Sequence, residues 1–296
     1  RSCGFSGNLV LPNSLEYIGS SAFHDAGRFV GGLRIPDNVN ILYNYTFWGN
    51  DRSPFNGTLD LNNVVMLGED CFVTCGFQGN LVIPEGVTEL PRWCFRHTKF
   101  SSVTLPSTLK VVGEGAFSLP GRSLSSPVVF PEGLVLIKSE AFYGHSNIES
   151  IDLPSTLQVI QSKAFNDCYG ISSIISRAKE PPTVQEGAFN GVAKDNFTVE
   201  VPANAVTRYA TDPAWGQFRR ISAHYDFSIS RNRARALNAE TSKTYVLRAP
   251  SGYDWTVENK PDWITVTPSS GTGKTEVTVT FSEMAPADAA QIEVEM

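Results

Sequence analysis

The sequence predicts a repeat solenoid of short parallel strands in about nine rungs, followed by a small all-β sandwich. Three observations lead to this fold class. A small residue followed by phenylalanine recurs eight times between residues 22 and 189, and a hydrophobic-x-hydrophobic-Pro box, or a degenerate copy of it, recurs nine times. From about residue 225 both patterns stop, and short alternating apolar stretches replace them. A unit of 22 to 26 residues cannot bury its apolar face alone, so neighbouring units must stack and share a core.

The recurring phenylalanines are expected to point into that shared core. They follow Ala, Thr or Cys and are spaced by 22 to 25 residues. A constant large residue beside a constant small one suits a ring that stacks on the equivalent ring of the next rung. The eight residues are Phe23, Phe47, Phe72, Phe95, Phe117, Phe142, Phe165 and Phe189.

Each box is typical of a short strand that proline ends. The two hydrophobic residues alternate with x, so they point inward while x faces solvent, and proline cannot donate to the next ladder position. Hydrophobic residues three positions after the box, such as Leu15, Val39 and Val65, are expected to point inward too. The outward x positions are Val10, Arg34, Asp60, Val82, Thr104, Val129, Asp152, Ile175 and Glu200.

These outward positions form the candidate binding surface. Stacked at roughly 4.8 Å per rung they would make a ribbon on the order of 40 Å long, which favours a protein partner over a small molecule. The alternative is that its valines and isoleucine merely favour strand formation. Loop aromatic residues are further candidates that either stack on sugars, anchor a protein or pack internally: Trp48, Phe55, Phe77, Trp93, Phe100 and Tyr143.

The chain divides into three parts. Residues 1–221 are the predicted solenoid, closed at its C-terminal end by a helical segment over 203–210 and by Trp215, Phe218 and Ile221. Residues 222–227 are a predicted linker, and residues 228–296 a predicted sandwich whose C-terminus we expect to be truncated. The chain starts in mid-repeat, so we expect earlier repeats or a leader upstream, with a lipid anchor there as an open alternative.

Composition excludes several functions. A net charge of -6 and an isoelectric point near 5.3 do not supply the basic footprint that nucleic acids require, and no apolar run is long enough to span a membrane. The stretch from Pro268 to Thr275 matches a phosphate-binding loop except for its proline, but a strand pattern follows it where a helix is required. We expect no catalytic site, metal site or cofactor.

The cysteines follow the repeat. Cys71 and Cys94 hold the small position before Phe, while Cys3, Cys75 and Cys168 share a position three residues after it or its equivalent. Cysteines fixed in repeat phase are typical of buried small hydrophobes. A link between Cys71 and Cys75 or a metal pair is the alternative.

The motif Leu-x-[Leu/Ile]-Pro-x-x-Leu-x-x-Ile-x-x-x-Ala-Phe-x-x-Cys, clearest over residues 151–168, resembles the BspA-like, or Treponema-type, leucine-rich repeats of Bacteroidetes surface proteins. Trp255 and the segment 263–266, with the turn at 268–273 and the strand pattern at 277–280, resemble a BACON domain, an immunoglobulin-like module. The first resemblance implies an exported surface or secreted protein that adheres to host or bacterial proteins. The second implies a spacer, or a module that binds mucin or other glycans.

Overall fold

The computed structural model describes residues 5–49, 55–119, 124–125, 127–194 and 197–224, and in the C-terminal part 228–229, 233–234, 242–248, 254–257, 264–281 and 292–293. Its contacts divide the chain into two compact units, residues 1–223 and 224–296. The first unit is a parallel β-solenoid of about nine turns, as the repeats predict. Residues 222–224, at the start of the predicted linker, lie in a strand.

One side of the solenoid carries the box strands. Consecutive rungs pair in parallel, so equivalent box residues lie side by side. The strands on this side are Phe5–Asn8, Gly27–Val30, Leu33–Arg34, Leu59–Asp60, Gln78–Val82, Lys99–Thr104, Val128–Val129, Ser150–Leu153, Ser173–Ser176, Thr198–Pro202 and Arg220–His224.

A second parallel sheet of two-residue strands follows the boxes in five successive rungs. One residue of each strand points outward and the next is directed into the core. An isolated parallel bridge between Ile41 and Met66 lies in the preceding rungs. The strands are Glu89–Leu90, Val111–Val112, Leu136–Ile137, Val159–Ile160 and Thr183–Val184.

The eight phenylalanines form one continuous stack, as predicted. Neighbouring ring centroids are 5.0 to 5.6 Å apart and the ring planes differ by 3° to 21°. Each Phe amide from Phe23 to Phe165 donates to the carbonyl of the small residue in the next rung, at 2.8 to 2.9 Å. The small side chain lets the two backbones approach this closely. The backbone hydrogen bonds between rungs therefore hold successive Phe rings at stacking distance.

The turn around each Phe needs an unusual backbone conformation. The residue two positions before Phe has a φ of 54° to 77° in all eight rungs, which is the left-handed region that disfavours residues with a Cβ. Only two of these residues are glycine. The others are Ser21, Tyr45, Asp70, Trp93, Glu140 and Lys163.

Side chains also clamp neighbouring rungs where Pro-Glu-Gly alternates with Pro-Ser-Thr. Glu85 accepts hydrogen bonds from the amide and hydroxyl of Ser107, at 3.0 and 2.8 Å. Thr108 accepts from the Gly86 amide at 3.0 Å and donates to a carbonyl at 2.8 Å. The same bonds recur one pair of rungs later, at residues 132–134 and 155–156. Each clamp satisfies turn amides that would otherwise rely on water.

Two box predictions are wrong. The first box, residues 9–12, lies outside any strand, because the ladder of that rung ends at Asn8. Val65 is 44% exposed, and Val64 is buried in its place. The third box lacks proline, and Asn62 adopts a φ of 50°. The turn then closes one residue early, with the Val64 amide donating to Leu61 at 3.0 Å.

The predicted cap is confirmed. A 3-10 turn at Ala203–Ala205 leads into an α-helix at Val206–Thr211, and Tyr209, Trp215 and Phe218 are buried. Trp215 and Phe218 contact Phe189, the last ring of the stack, with centroids 6.1 and 5.8 Å away. These aromatic side chains cover an open end of the core that would otherwise meet water.

The second unit contains antiparallel strands. A four-stranded sheet runs in the order Ser228–Ile229, Ser242–Arg248, Lys274–Phe281 and Ile264–Thr267. Two further pairs join Arg233–Ala234 to Ile292–Glu293 and Asp254–Thr256 to Ser270–Thr272.

These strands bear on three sequence predictions for the second unit. Both Trp255 and Trp263 are spaced as strand residues of a small sandwich, which predicts a core role and leaves ligand contact as the alternative. Trp255 is buried, as a core residue would be, whereas Trp263 lies outside the described residues. A strand beginning at Lys274 follows the phosphate-loop-like stretch, as expected. The complete immunoglobulin-like sandwich stays a prediction.

Candidate functional site

The outward x residues of the boxes form two in-register segments in consecutive rungs, Arg34 to Thr104 and Val129 to Glu200, called here together the box face. The pairs Arg34 with Asp60, Asp60 with Val82, and Val82 with Thr104 are direct neighbours in the ladder. The row continues with Val129, Asp152, Ile175 and Glu200. Val82 is 52% and Val129 63% exposed, and every other member is at least partly exposed. These eight residues therefore face outward, as the box pattern predicts, and their role in binding stays a prediction.

Ion pairs lie before and after the middle part of the row. Arg34 contacts Asp60 at 3.3 Å and Asp37 at 2.6 Å. Asp152 receives two hydrogen bonds of 2.8 Å from the guanidinium of Arg177. Hydrogen bonds from Arg34 hold the pKa of the Asp37 carboxyl below its ordinary value. Both arginines of this face are thus paired with carboxylates of the chain itself, and Arg34 contacts two of them.

Between those ion pairs the row is uncharged. Val82, Thr104 and Val129 occupy three successive rungs. An uncharged centre with a polar, charge-compensated margin is the arrangement found in protein interfaces.

Trp48 lies on the turn edge, defined as the outward residues of the turns around each Phe. The imidazole of His24 stacks on its indole with centroids 4.6 Å apart and planes 10° apart. Tyr45 approaches the same imidazole edge-on at 6.5 Å. One face of Trp48 is thus already occupied.

Trp93 occupies one of the left-handed turn positions. The guanidinium carbons of Arg92 and Arg96 lie 3.6 and 4.7 Å from its ring centroid, a cation–π arrangement. Its indole also lies against Gly115, where an added Cβ would approach within 2.4 Å of the ring. Trp93 is therefore packed by its own chain, and its ring is a poor platform for a sugar.

Tyr143 directly follows Phe142 in the sequence and also lies on the turn edge. Its hydroxyl hydrogen-bonds to Asp167, which raises the pKa of Tyr143, and Tyr169 donates to the same carboxylate at 2.7 Å. Tyr143 and Trp48 share one repeat position but lie four rungs apart. The structure therefore does not bring Trp48, Trp93 and Tyr143 together into one site.

The remaining loop aromatics are core residues. Phe55, Phe77 and Phe100 are buried, and Phe55 stacks on Phe77 with centroids 4.4 Å apart. The prediction that they are binding candidates is wrong, and the internal-packing alternative is correct. These three phenylalanines lie three or four residues before their boxes, and their rings form a second inward row beside the main stack of eight phenylalanines.

The cysteines are buried and unbonded to one another. Cys71, Cys75, Cys94 and Cys168 are free thiols, which removes the Cys71–Cys75 link, while Cys3 lies outside the described residues. Burial raises the pKa of Cys71 and of Cys168 to about 12, so neither is an active nucleophile. Among the described residues, no group of three or more His, Cys, Asp or Glu is placed to hold a metal ion.

His145 replaces cysteine at the position three residues after Phe. Its Nε2 lies 2.6 Å from the Phe117 carbonyl, and the Leu124 amide donates to Nδ1 at 3.4 Å. Cys75 and Cys168 likewise bond the Phe carbonyl of the preceding rung, at 3.0 and 3.1 Å. Burial lowers the pKa of His145 to about 4, so the imidazole is a neutral structural group.

A second outward row escaped sequence reasoning. It lies on the second sheet, and we call it the second face. Tyr17 is 63% and Met66 50% exposed, and the half-buried members are Ile41, Val111, Leu136 and Val159. The sequence signal for this row is the apolar residue that directly precedes the second inward position of a rung, as Tyr17 precedes Ile18 and Val111 precedes Val112.

Comparison with known proteins places this repeat solenoid in a family. The sequence model of a protein family described as the BspA type leucine rich repeat region matches residues 1–120 and 120–210 of this chain, in six copies. The chain belongs to this family of leucine-rich repeat proteins. Among the described residues, no helix has the length and apolar character needed to cross a membrane.

One solved structure with a similar fold is a leucine rich cell surface protein from Faecalibacterium prausnitzii A2-165. It is 16% identical, with a TM-score of 0.40, over 68% of this chain and 73% of that chain. No curated protein matches the chain.

Proposed function

We propose that this chain is an exported, non-catalytic cell-surface protein that binds another protein through its box face. The observation that carries the proposal is the exposed, uncharged centre formed by Val82, Thr104 and Val129 between the two ion-paired margins. Exposed apolar patches rimmed by polar groups mark interaction surfaces in soluble proteins. The second unit would act as a spacer.

The dimensions support a macromolecular partner. Seven ladder steps separate Arg34 from Glu200, which is ~34 Å at roughly 4.8 Å per step. A typical protein interface buries about 800 Å² per partner, a patch about 28 Å on an edge. The box face has this length, and its valines are exposed, as expected for a flat protein partner.

The test is binding of the full chain to an array of purified extracellular proteins, beside a glycan array that represents the alternative partner class. Val82→Lys and Val129→Lys introduce a charge at the centre of the face. Each should weaken retention of an array protein at least tenfold, equivalent to about 1.4 kcal/mol. The matched control is Val65→Lys, because Val65 is 44% exposed and lies off the box face. Equal binding by all three variants would refute the proposal.

A further inference from the structure

An open groove of about 490 Å³ lies at the N-terminal end of the box face. Its polar lining includes Asn8, Asn13, Thr58 and the Arg34–Asp60 pair. The volume falls within the ~300–1,000 Å³ range of small-ligand sites. The groove adjoins the valine centre, because its Asp60 is the ladder neighbour of Val82, but its lining has a different chemistry.

Three neighbouring rungs form the groove, and Gly32 in the middle rung allows them to pack closely. The residue immediately before the box is Asn8, Thr58 or Asn80 in nearby rungs, but Gly32 in this one. A Cβ on Gly32 would lie 2.7 Å from the Thr58 carbonyl oxygen. The backbone of the next rung thus packs directly against Gly32, and the polar side chains of the three rungs line the groove.

The charged groups of the groove are fixed before any ligand arrives. Asp37 and Asp60 both contact Arg34. Asn62 ties the two carboxylates together, because its side chain donates to Asp37 at 2.6 Å and its amide to Asp60 at 2.9 Å. A network already held in place loses little freedom on binding.

The lining matches one ligand chemistry. Within the lining the charges of Arg34 and Asp60 offset each other, and Asp37 beside them adds a negative charge, so the groove offers no net attraction to a phosphate, sulfate or carboxylate. Amide, hydroxyl, guanidinium and carboxylate groups supply donors and acceptors together. Apolar contact comes from Val10, which is 82% exposed, and from Pro36. A neutral sugar presents the complementary mixture of hydroxyl groups and C–H faces.

We propose that this groove binds a neutral oligosaccharide, with Arg34 and Asp60 bonding its hydroxyl groups and Val10 contacting a ring face. The open form of the groove suits consecutive sugar units of a chain. This site does not depend on the protein-binding role of Val82 and Val129.

The experiment titrates the full chain with maltohexaose, cellohexaose, xylohexaose and mannohexaose, using sialylated and sulfated oligosaccharides as the charged comparison. We expect saturable binding of at least one neutral probe. The double variant Arg34→Gln/Asp60→Asn removes both charged hydrogen-bonding groups and keeps neutrality, and it should weaken binding at least tenfold. The matched control is Arg177→Gln/Asp152→Asn, an ion pair on the same face outside the groove, which should change the affinity less than twofold.

A second variant guards against loss of folding. Asn13 is exposed and Asn13→Ala should weaken binding threefold or more without changing the melting temperature. Preference for the charged probes, saturation by none of the neutral ones, or unchanged affinity in Asn13→Ala would each overturn the proposal. Val129→Lys lies three rungs from Asp60 and outside the groove, so it should leave oligosaccharide binding intact, and this inference and the proposed protein-binding function fail separately.

Discussion

Inward and outward positions of the box strands differ in what fills them. Val128 is buried while Val129, the next residue, is 63% exposed. The inward row is apolar along the solenoid except at Ser176, whose hydroxyl bonds to Tyr209, whereas the outward row changes from Arg34 through valines to Glu200. Every rung shares its core with two neighbours, so an inward change is felt by three rungs. The outward row has no such constraint, and variation there is free to serve recognition.

The largest expected effect comes from breaking the inward row. Phe117 stacks between Phe95 and Phe142, with centroids 5.5 and 5.4 Å away. Phe117→Ala should lower the free energy of unfolding by about 3 to 5 kcal/mol, through lost burial and a cavity. Urea unfolding of the full chain measures it. Val129→Ala is the outward control and should cost less than about 0.5 kcal/mol; similar costs for both would contradict the comparison.

The buried imidazole gives the next effect. His145 has a pKa of about 4 in the folded chain and about 6.5 when unfolded. The unfolded chain therefore binds a proton that the folded chain does not, and this contribution to stability is complete above pH 6.5 and lost as the pH falls toward 4. Between pH 7 and 4.5 the loss is about 2 to 3 kcal/mol.

His145→Cys tests this prediction, because Cys75 and Cys168 hold the same position in other rungs. A cysteine thiol does not titrate in this range, so the variant should lose that much less stability between pH 7 and 4.5. Carboxylates contribute equally to both proteins and cancel in the difference. Equal pH dependence, measured by urea unfolding at the two pH values, would show that the imidazole is not buried as described.

The outward ion pairs should contribute less. Arg177 binds Asp152 through two hydrogen bonds, whereas the more exposed Lys138 contacts Glu89 through one of 2.9 Å. Arg177→Met should cost about 1 kcal/mol and Lys138→Met less than about 0.5 kcal/mol. Thermal unfolding in low and high salt compares them. A larger cost for Lys138→Met would reverse this ranking.

The smallest predicted effect is an increase in the free energy of unfolding. Lys163 has a φ of 59°, and glycine adopts this conformation without a Cβ penalty. Lys163→Gly should stabilise the solenoid by about 0.5 kcal/mol, because relief of strain exceeds the added chain entropy. Lys110 is outside the positive-φ set, so Lys110→Gly should destabilise by about 0.5 to 1 kcal/mol. Destabilisation of both would exclude strain at the turn.

The solenoid and the box face could be predicted from the sequence because period and phase determine them. Equivalent residues repeat every 22 to 26 positions, so the inside of one rung identifies the inside of all. The approach works least well where a rung departs from the pattern. Asn62 replaces proline and shifts the turn, which exposes Val65.

Other features depend on contacts between rungs, which a single repeat does not display. The binding role suggested for Phe77 was wrong because its ring packs edge-on against Phe72 at 6.0 Å. The groove beside Gly32 likewise arises from stacking. The arginines beside Trp93 belong to its own repeat, and the fold of that turn brings them over its ring. The left-handed turn positions carry Ser, Tyr, Asp, Trp, Glu and Lys as well as Gly, so composition gave no signal for them.

The most direct test of the outward row as the recognition surface is a hydrogen-exchange footprint of the full chain, alone and with a protein that it retains on the extracellular-protein array. We predict slower exchange in the box strands Gln78–Val82, Lys99–Thr104 and Val128–Val129, with the second sheet unchanged. Protection confined to the second sheet or to the turn edge, or retention of no array protein, would contradict the account.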